Sequence, residues 1–544
     1  MAVTHAGLAM YLQWTSSANY GSISAHQLTQ SWTTGLTWND HDGSNAWTSA
    51  GGTFNSTKLA TQTPSTAGWY YWSGSAISTL AQSWLSNPTN VNDGLMVSAD
   101  NESNNEADTL GSTRIGSTPY FYVYYTNAIG VRSFYNQETH QLTDRSNLAV
   151  NVANGNLTIQ GSDVSIRGSG LNLDVNRIYN SLGSGGAMGT WLMTTGVDVN
   201  LAFLSGDVYY QGPGGYDATF RTNGSGGWTS PPGINAVLTQ SGGNYKLTFN
   251  SSQETLTFNS SGQLTSDADR NGDSISYTYS SGRLRSISDT QGRSTTFAYT
   301  SPVASNLVSG ITDSSSRSWG YSYTSASGFD ELTEYTDPNS KSTSYSYDTS
   351  GRVTKITDPL GNETSFGYDS SSRVTSITRV TDNVHGTGPT TNYTYNTGAG
   401  SCGTPPSGES FFGNTVSEDA NSHSTTYCYD PGGLVLKVID ANGDARISTF
   451  TADANVASLT DGLSQVSTLA YDNNNNLASI TAPASGGAQT AAKTTFGYST
   501  PSSVAGYPYL SSSSTNPQGK CTAYAYDSSG NLTDSYAGQT TPCD

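Results

Sequence analysis

The chain has 544 residues, 34 % of them hydrophobic and only 12 % charged, with 59 Gly, 34 Tyr and a formal net charge of −19. That length allows several domains, and 22 Lys plus Arg against 41 Asp plus Glu leave no basic footprint for nucleic acid and disfavour docking on anionic lipid. No run approaches the ~20 apolar residues that span a bilayer, so membrane insertion is not expected, and 11 % Phe, Trp and Tyr argues against a disordered chain.

The start, Met1-Ala2-Val3-Thr4-His5, lacks the basic residues and apolar run of a signal peptide. Residues 1–127 hold seven of the ten Trp (Trp14, Trp32, Trp38, Trp47, Trp69, Trp72 and Trp84) and are expected to be a separate domain. AGLAMYLQW, ISAHQL, GLMVSAD and YFYVYYT read as strands, while Ile77, Leu80, Ala81 and Leu85 within 77–87 leave a short helix and an extended segment both open. Trp38, flanked by Leu36 and Thr37 in alternation, is expected in the core. In GWYYWSG, Trp69, Tyr70, Tyr71 and Trp72 point alternately to opposite faces of a strand, so some rings must face outward or into another domain. Exposed rings stack on the flat C–H faces of sugars, which makes these four the candidate carbohydrate-binding residues; the competing reading packs them in a sandwich core. Asp100, Glu102, Glu106 and Asp108 read as a solvated acidic loop, with calcium the lesser alternative.

Residues 128–142 read as a linker. Between 143 and 240, LAVNVANGNLTI and GLNLDVNRIYNS are strand-like, and Arg177 there can pair with a buried carbonyl or carboxylate while Tyr179 stacks. From 241 to 544 one phrase recurs, clearest in TSYSYDTSGRVTKITDPLGN. Its anchors, Tyr279, Tyr299, Tyr323, Tyr347, Tyr368, Tyr395, Tyr429, Tyr471, Tyr498 and Tyr526, lie mostly about 20 to 34 residues apart, the spacing of a repeat architecture. Each unit alternates in period two (Tyr345, Tyr347; Val353, Ile356) and is punctuated by turns such as DTSG, DPLG and DANG, so each predicts a β-hairpin. A lone hairpin is marginal in water; successive ones are expected to pair edge to edge, Tyr over Tyr, into an extended or spiralling sheet. Helix should be limited to about a tenth of residues or less.

Signatures of chemistry are sparse. The six His (His5, His26, His41, His140, His385, His423) form no HExxH, and no GxSxG elbow, P-loop or dinucleotide fingerprint occurs, so no enzymatic activity, resident metal or cofactor is expected. Calcium has one imitation of its loop, Asp267-Ala268-Asp269-Arg270-Asn271-Gly272, but the twelfth position is Thr278 where a bidentate Glu belongs; an ordinary Asp-capped turn is the better reading. Cys402 and Cys428, and Cys521 and Cys543, are each about one repeat apart. Two local disulfides are favoured outside the cytosol, ahead of free thiols and of metal.

Two resemblances add to this reading. The order SWTTGLTWND, WYYWSGSAISTLAQSWLSNPTNVNDGLMV and STPYFYVYYT is similar to the jelly-roll modules called DNRLRE domains, some of which bind carbohydrate; the strands that precede AGLAMYLQW in that family imply a copy beginning partway. The dipeptides Tyr347-Asp348, Tyr368-Asp369, Tyr429-Asp430, Tyr471-Asp472 and Tyr526-Asp527 resemble the RHS/YD repeat, and Asn154-Gly155-Asn156-Leu157 with Arg177-Ile178-Tyr179-Asn180-Ser181 resembles the region that opens such arrays. The resemblance implies an all-β chain, a partial jelly-roll sandwich followed by hairpins winding into a hollow shell, that ends in mid-array. It implies a secreted or cell-surface protein whose shell encloses a C-terminal toxin or effector in bacterial competition. The alternative is a carbohydrate-binding adhesin or stalk on a cell-wall glycan.

Overall fold

The computed structural model describes residues 2–15, 21–86, 92–101, 108–110, 118–126, 128–204, 206–484, 491–498 and 508–540. The chain divides into Met1–Asn127 and Ala128–Asp544.

In the first unit the strand Ala2–Thr15 pairs with Gly68–Ser73 on one side and with Tyr120–Thr126 and Asp108–Leu110 on the other, while Ile23–Gln27 pairs with Ala60–Gln62 and Leu95–Ala99 in a second sheet. The two sheets and the helix Ser75–Ser86 meet around Ala6, Ile23, Ala25, Trp72, Ile77 and Ala81. Ile77 and Ala81, one helical turn apart, face that core, which settles the segment left open between helix and strand. Trp38 is a correction. It is 64 % exposed, because it sits in an irregular loop where strand alternation does not apply; its ring instead covers Gly51, where an added Cβ would lie 2.7 Å from the indole.

The second unit opens with a five-stranded antiparallel sheet, Gln137–Thr143, Ser146–Asn151, Leu157–Ile166, Leu173–Asn180 and Trp191–Met193. Gln137–Thr143 falls in the stretch read as a linker; its alternating QETHQLT pairs along Ser146–Asn151. Four further strands, Asn200–Leu204, Asp207–Gln211, Asp217–Thr222 and Trp228–Thr229, form a second small sheet. The array then begins at Ala236–Ser241 and runs in strict sequence order to Leu532–Thr540 as one 26-stranded antiparallel sheet. The sheet does not close on itself. Instead its late turns pass beside its first strands: Gly233 N–H donates to Asp453 O at 3.0 Å, Arg270 Nη1 to Gly530 O at 2.6 Å, and Asn531 Nδ2 to Asn271 Oδ1 at 2.8 Å.

Two devices stitch most of the repeats. The first is the turn: Asp348 Oδ1 accepts the amides of Ser350 and Arg352 at 2.9 and 3.1 Å, and Gly351 takes the left-handed conformation, φ 71°, that the turn demands. Arg352 returns its guanidinium to Asp348 Oδ2 at 2.7 Å and lies 4.8 Å over the ring of the next anchor, Tyr368. The second device is the anchor hydroxyl. Between adjacent hairpins the backbone pairing stops at Lys355 with Ser365, and beyond that point Tyr368 Oη donates to Val353 O at 2.7 Å. Tyr347 reaches Leu332 O at 2.7 Å, Tyr471 reaches Val456 O at 2.9 Å and Tyr526 reaches Ser511 O at 2.7 Å, each fifteen residues back; Tyr395 and Tyr498, across longer loops, reach Val374 and Leu477. Burial raises the Tyr347, Tyr368 and Tyr395 phenols above their ordinary range, keeping them neutral donors. The expected Tyr-over-Tyr stack is therefore replaced. Among the described residues successive anchors make no ring contact, because the ring spans to the neighbouring hairpin's backbone. Tyr368→Phe should leave Val353 O unpaired and lower the stability of this unit by about 1–2 kcal/mol, measured by urea unfolding; an unchanged midpoint would remove the hydroxyl as a stitch.

Candidate functional site

The opening segment lies across the inner face of the hairpins. Val374 N–H donates to Gly155 O at 3.0 Å, Thr415 Oγ1 to Val152 O at 2.5 Å, and Tyr179 Oη accepts the Val353 amide at 3.1 Å. One continuous core, from Leu148 and Trp191 through Leu284 and Tyr345 to Tyr393, joins the two parts; Tyr279, Tyr299, Tyr347, Tyr368 and Tyr395 pack against it, Tyr323 lies within it, and Tyr429 belongs to a smaller cluster with Val152 and Val435.

At its centre is Arg177. Its Nε is 3.0 Å from both carboxylate oxygens of Asp163, its Nη1 bonds the Tyr345 hydroxyl, and its Cζ lies 4.0 Å over the ring of Tyr335. Tyr321 Oη donates to the same carboxylate at 2.8 Å. Both charged groups are buried; burial pushes the Asp163 carboxyl up, and Arg177 pulls it down. Tyr347 closes a second link, accepting Trp191 Nε1 at 2.9 Å. Tyr347 thus fastens the opening segment as well as the neighbouring hairpin.

Asp267, in the sequence that imitates a calcium loop, sits in the sheet opposite Leu256 and Ile275. The neighbouring Asp269 spends Oδ1 on the amides of Asn271 and Asp273, at 2.9 and 3.0 Å, as an ordinary turn cap. Burial, with Glu254 and Asp269 beside it, pushes Asp267 from 3.8 up to about 7. Because the folded state holds a proton that the unfolded state has released, this carboxyl makes stability fall as pH rises from about 4 to about 7. Asp267→Asn should flatten that part of the curve of thermal midpoint against pH; an unaltered slope would assign it elsewhere.

The cover over the inner face is local. In the hairpin 342–357, Tyr345 pairs opposite Ile356 and both are buried. In the same register further on, Ser448 is opposite Leu459 and Leu469 opposite Ile480, and Leu459 and Ile480 are 46 % and 36 % exposed. Tyr471, Tyr498 and Tyr526 keep their carbonyl partners there and are only partly buried. The late hairpins repeat the apolar pattern without an opening segment against it.

Cys402 and Cys428 are bonded, with Cα atoms 5.9 Å apart. The bridge ties the loop before the strand Gly413–Glu418 to the strand Ser424–Tyr429, and Lys437 Nζ adds a bond to Cys402 O at 2.8 Å. Cys521 is also disulfide-bonded; Cys543 lies outside the described residues. Among the acidic residues of the first unit, Asp100 pairs with Lys58 at 2.8 Å, while Glu102 and Glu106 lie outside the described residues.

The four candidate aromatics of the first unit divide by face. Trp72 is fully buried, its Nε1 donating to Ile23 O at 2.8 Å, and Tyr70 packs against the same core while its hydroxyl accepts the amides of Ser65 and Thr66. Trp72 cannot stack on a ligand, which corrects the sequence-based set, while Tyr70 is half-buried on the core side. Trp69 and Tyr71 point the other way, and the strand Tyr120–Thr126 brings Tyr120 and Tyr122 to meet them. Between the two strands lie Gly7 and Ala9; a Cβ on Gly7 would be 2.5 Å from the Tyr122 hydroxyl. Sequence reasoning missed Tyr11, Tyr120 and Tyr122; for Tyr120 and Tyr122 the signal was their i, i+2 spacing in the strand YFYVYYT. It also missed the Asp-to-Arg spacing of four, visible in Asp289 and Arg293, Asp313 and Arg317, and Asp348 and Arg352.

Residues 236–392 match the family model described as Teneurin YD-shell. No curated protein matches the sequence. Among solved structures, the chain is similar to TcdB2-TccC3-Cdc42 (10 % identity, TM-score 0.22, covering 73 % of this chain and 26 % of that one). It is also similar to TcdB2-TccC3-TEV (11 % identity, TM-score 0.29, covering 72 % and 25 %). It therefore spans about a quarter of the length of those chains. The family match begins where the long sheet begins, and over residues 236–392 the array, with its Tyr-Asp turns and anchor bonds, is similar to a YD-shell.

Proposed function

We propose that the second unit is a nonenzymatic wall: part of a shell that encloses a polypeptide, the enclosed cargo being a toxin or effector delivered in bacterial competition. The observation that carries this reading is the inner face of the late hairpins, where Leu459 and Ile480 occupy the register positions of buried residues and are exposed. Exposed apolar side chains in repeated register mark a surface that another chain covers. The Cys402–Cys428 bridge supports an oxidising, extracytosolic setting. The test is accessibility. Leu459→Cys and Ile480→Cys should react with a maleimide in this chain and be protected in the longer protein carrying its cargo; equal labelling in both would reject enclosure.

A further inference from the structure

We propose that the edge of the strand Gln137–Thr143, with the exposed inner positions of the late hairpins, docks an extended segment of the enclosed polypeptide, which adds to the opening sheet as a sixth strand. Among the described residues that sheet ends at Gln137–Thr143 on one side and at Trp191–Met193 on the other. The latter edge is three residues long and buried throughout, a blunted end. The former is seven residues long, QETHQLT, with no Lys or Pro to protect it, and Thr139 and Gln141 are exposed. One bond fixes which way its backbone points: Asn136 O accepts the Val152 N–H at 3.2 Å. Because the backbone groups of an antiparallel strand alternate between its two sides, those of Gln137, Thr139 and Gln141 turn away from Ser146–Asn151. Gln141 O accepts the Arg379 guanidinium there, and the Thr139 amide and carbonyl sit at the centre of the edge.

The existing interface selects the occupant. Strand by strand, the opening sheet advances across the hairpins: Trp191 meets Tyr345 and Tyr347, Tyr179 meets Val353, and His140 Nε2 lies 3.1 Å from Tyr393 Oη. Its cover ends where Val152 packs on Tyr429 and Val435, with Tyr427 and Val438 half-buried at the margin. A strand added beyond Gln137–Thr143 continues that advance toward the hairpins where Leu459 and Ile480 are exposed. The facing positions there, Ser448, Leu459, Leu469, Ile480 and Phe496, carry no charge. They suit a strand with apolar side chains at every second residue, as Leu157 and Ile159 of the opening sheet share one core with the earlier hairpins. At the edge itself Glu138 Oε2 is buried without a hydrogen-bond partner, and a donor from the added strand would satisfy it. An extended segment brings backbone groups and alternating side chains together, which a folded domain with its strands already paired does not. The choice of occupant rests on the enclosure proposed above.

The test uses the whole chain and a fluorescein-labelled heptapeptide, Ser-Asn-Leu-Ala-Val-Asn-Val. This is the sequence of residues 146–152, most of which the strand already accepts on its other side. Followed by anisotropy, the peptide should bind in the millimolar to micromolar range. Methylating its alternate amides, which removes the donors of one edge, should abolish binding. Thr139→Pro, a substitution that an edge strand tolerates because the lost N–H points away from the sheet, should weaken it about tenfold, and so should Leu459→Asp. Near-ultraviolet circular dichroism checks folding, and if Thr139→Pro unfolds, the methylated peptide and Leu459→Asp still decide. Three outcomes would overturn the proposal: no saturable binding, equal binding of the methylated peptide, or unchanged affinity in a folded variant. Enclosure is read separately. In the longer protein with its cargo, a Leu459→Cys protected from maleimide while the Thr139 amide exchanges hydrogen as fast as in this chain would remove the added strand and keep enclosure; equal maleimide labelling would reject enclosure, and this occupant with it.

Discussion

Replacing Arg177 by Ala is expected to lower the stability of the second unit by about 3–5 kcal/mol, the magnitude for breaking a buried ion pair by removing one partner. The substitution leaves the Asp163 carboxylate buried with only the Tyr321 and Tyr335 hydroxyls against it and strips the cation from beneath Tyr335 and Tyr345. Sharing one network, these groups should behave non-additively. Asp163→Leu combined with Arg177→Met should recover much of the loss, because the paired removal leaves no uncompensated charge. Urea unfolding of the three proteins decides it. A loss below about 1 kcal/mol for Arg177→Ala would mean that water reaches the site and solvates Asp163.

Trp72→Ala is expected to lower the stability of the first unit by about 3–5 kcal/mol, as for large-to-small changes in a packed core. Its indole fills the space between the two sheets beside Ile23, Ile77 and Ala81, and its N–H is the partner of Ile23 O, so truncation opens a cavity and orphans a carbonyl together. The core here is small, and the unit should lose its folded near-ultraviolet signal at ordinary temperature. Trp69→Ala, one ring away on the other face, should shift the thermal midpoint by only a few degrees at most, since its ring is already part-solvated. Equal effects of the two substitutions would contradict the division of faces.

Much of this architecture was written locally in the chain. The repeat, its hairpins and its Asp-capped turns follow from periods of two and of one hairpin, because each depends on residues close in sequence, while the spacing over 77–87 left helix and strand both open. What the anchors do with their hydroxyls was less legible. The fifteen-residue step from Val353 to Tyr368 recurs at Tyr347, Tyr471 and Tyr526, yet its meaning appears only once adjacent hairpins splay at their bulged ends. The partners of Arg177 were out of reach for a stronger reason: Tyr345 lies 168 residues away, and no local pattern specifies which turn of the sheet passes over a given strand. The aromatic face was half legible. Alternation separates Trp69 and Tyr71 from Tyr70 and Trp72 within one strand, but Tyr11 and Tyr120 join them only through the pairing of three strands far apart in the chain.

The anchor bond also gives the array a direction in time. Most of the hairpins offer a carbonyl that stays open until a later anchor Tyr, fifteen residues on for Tyr347 and Tyr368 and 21 for Tyr395, has been synthesised and swings back to take it. A chain emerging from the ribosome can therefore lock hairpin after hairpin without waiting for its far end, and its strand pairing stays between neighbours throughout. The strands of the opening segment, bearing Arg177 and Trp191, precede every hairpin they will bond. They serve as a mandrel already in place when the first turns of sheet arrive to be wound.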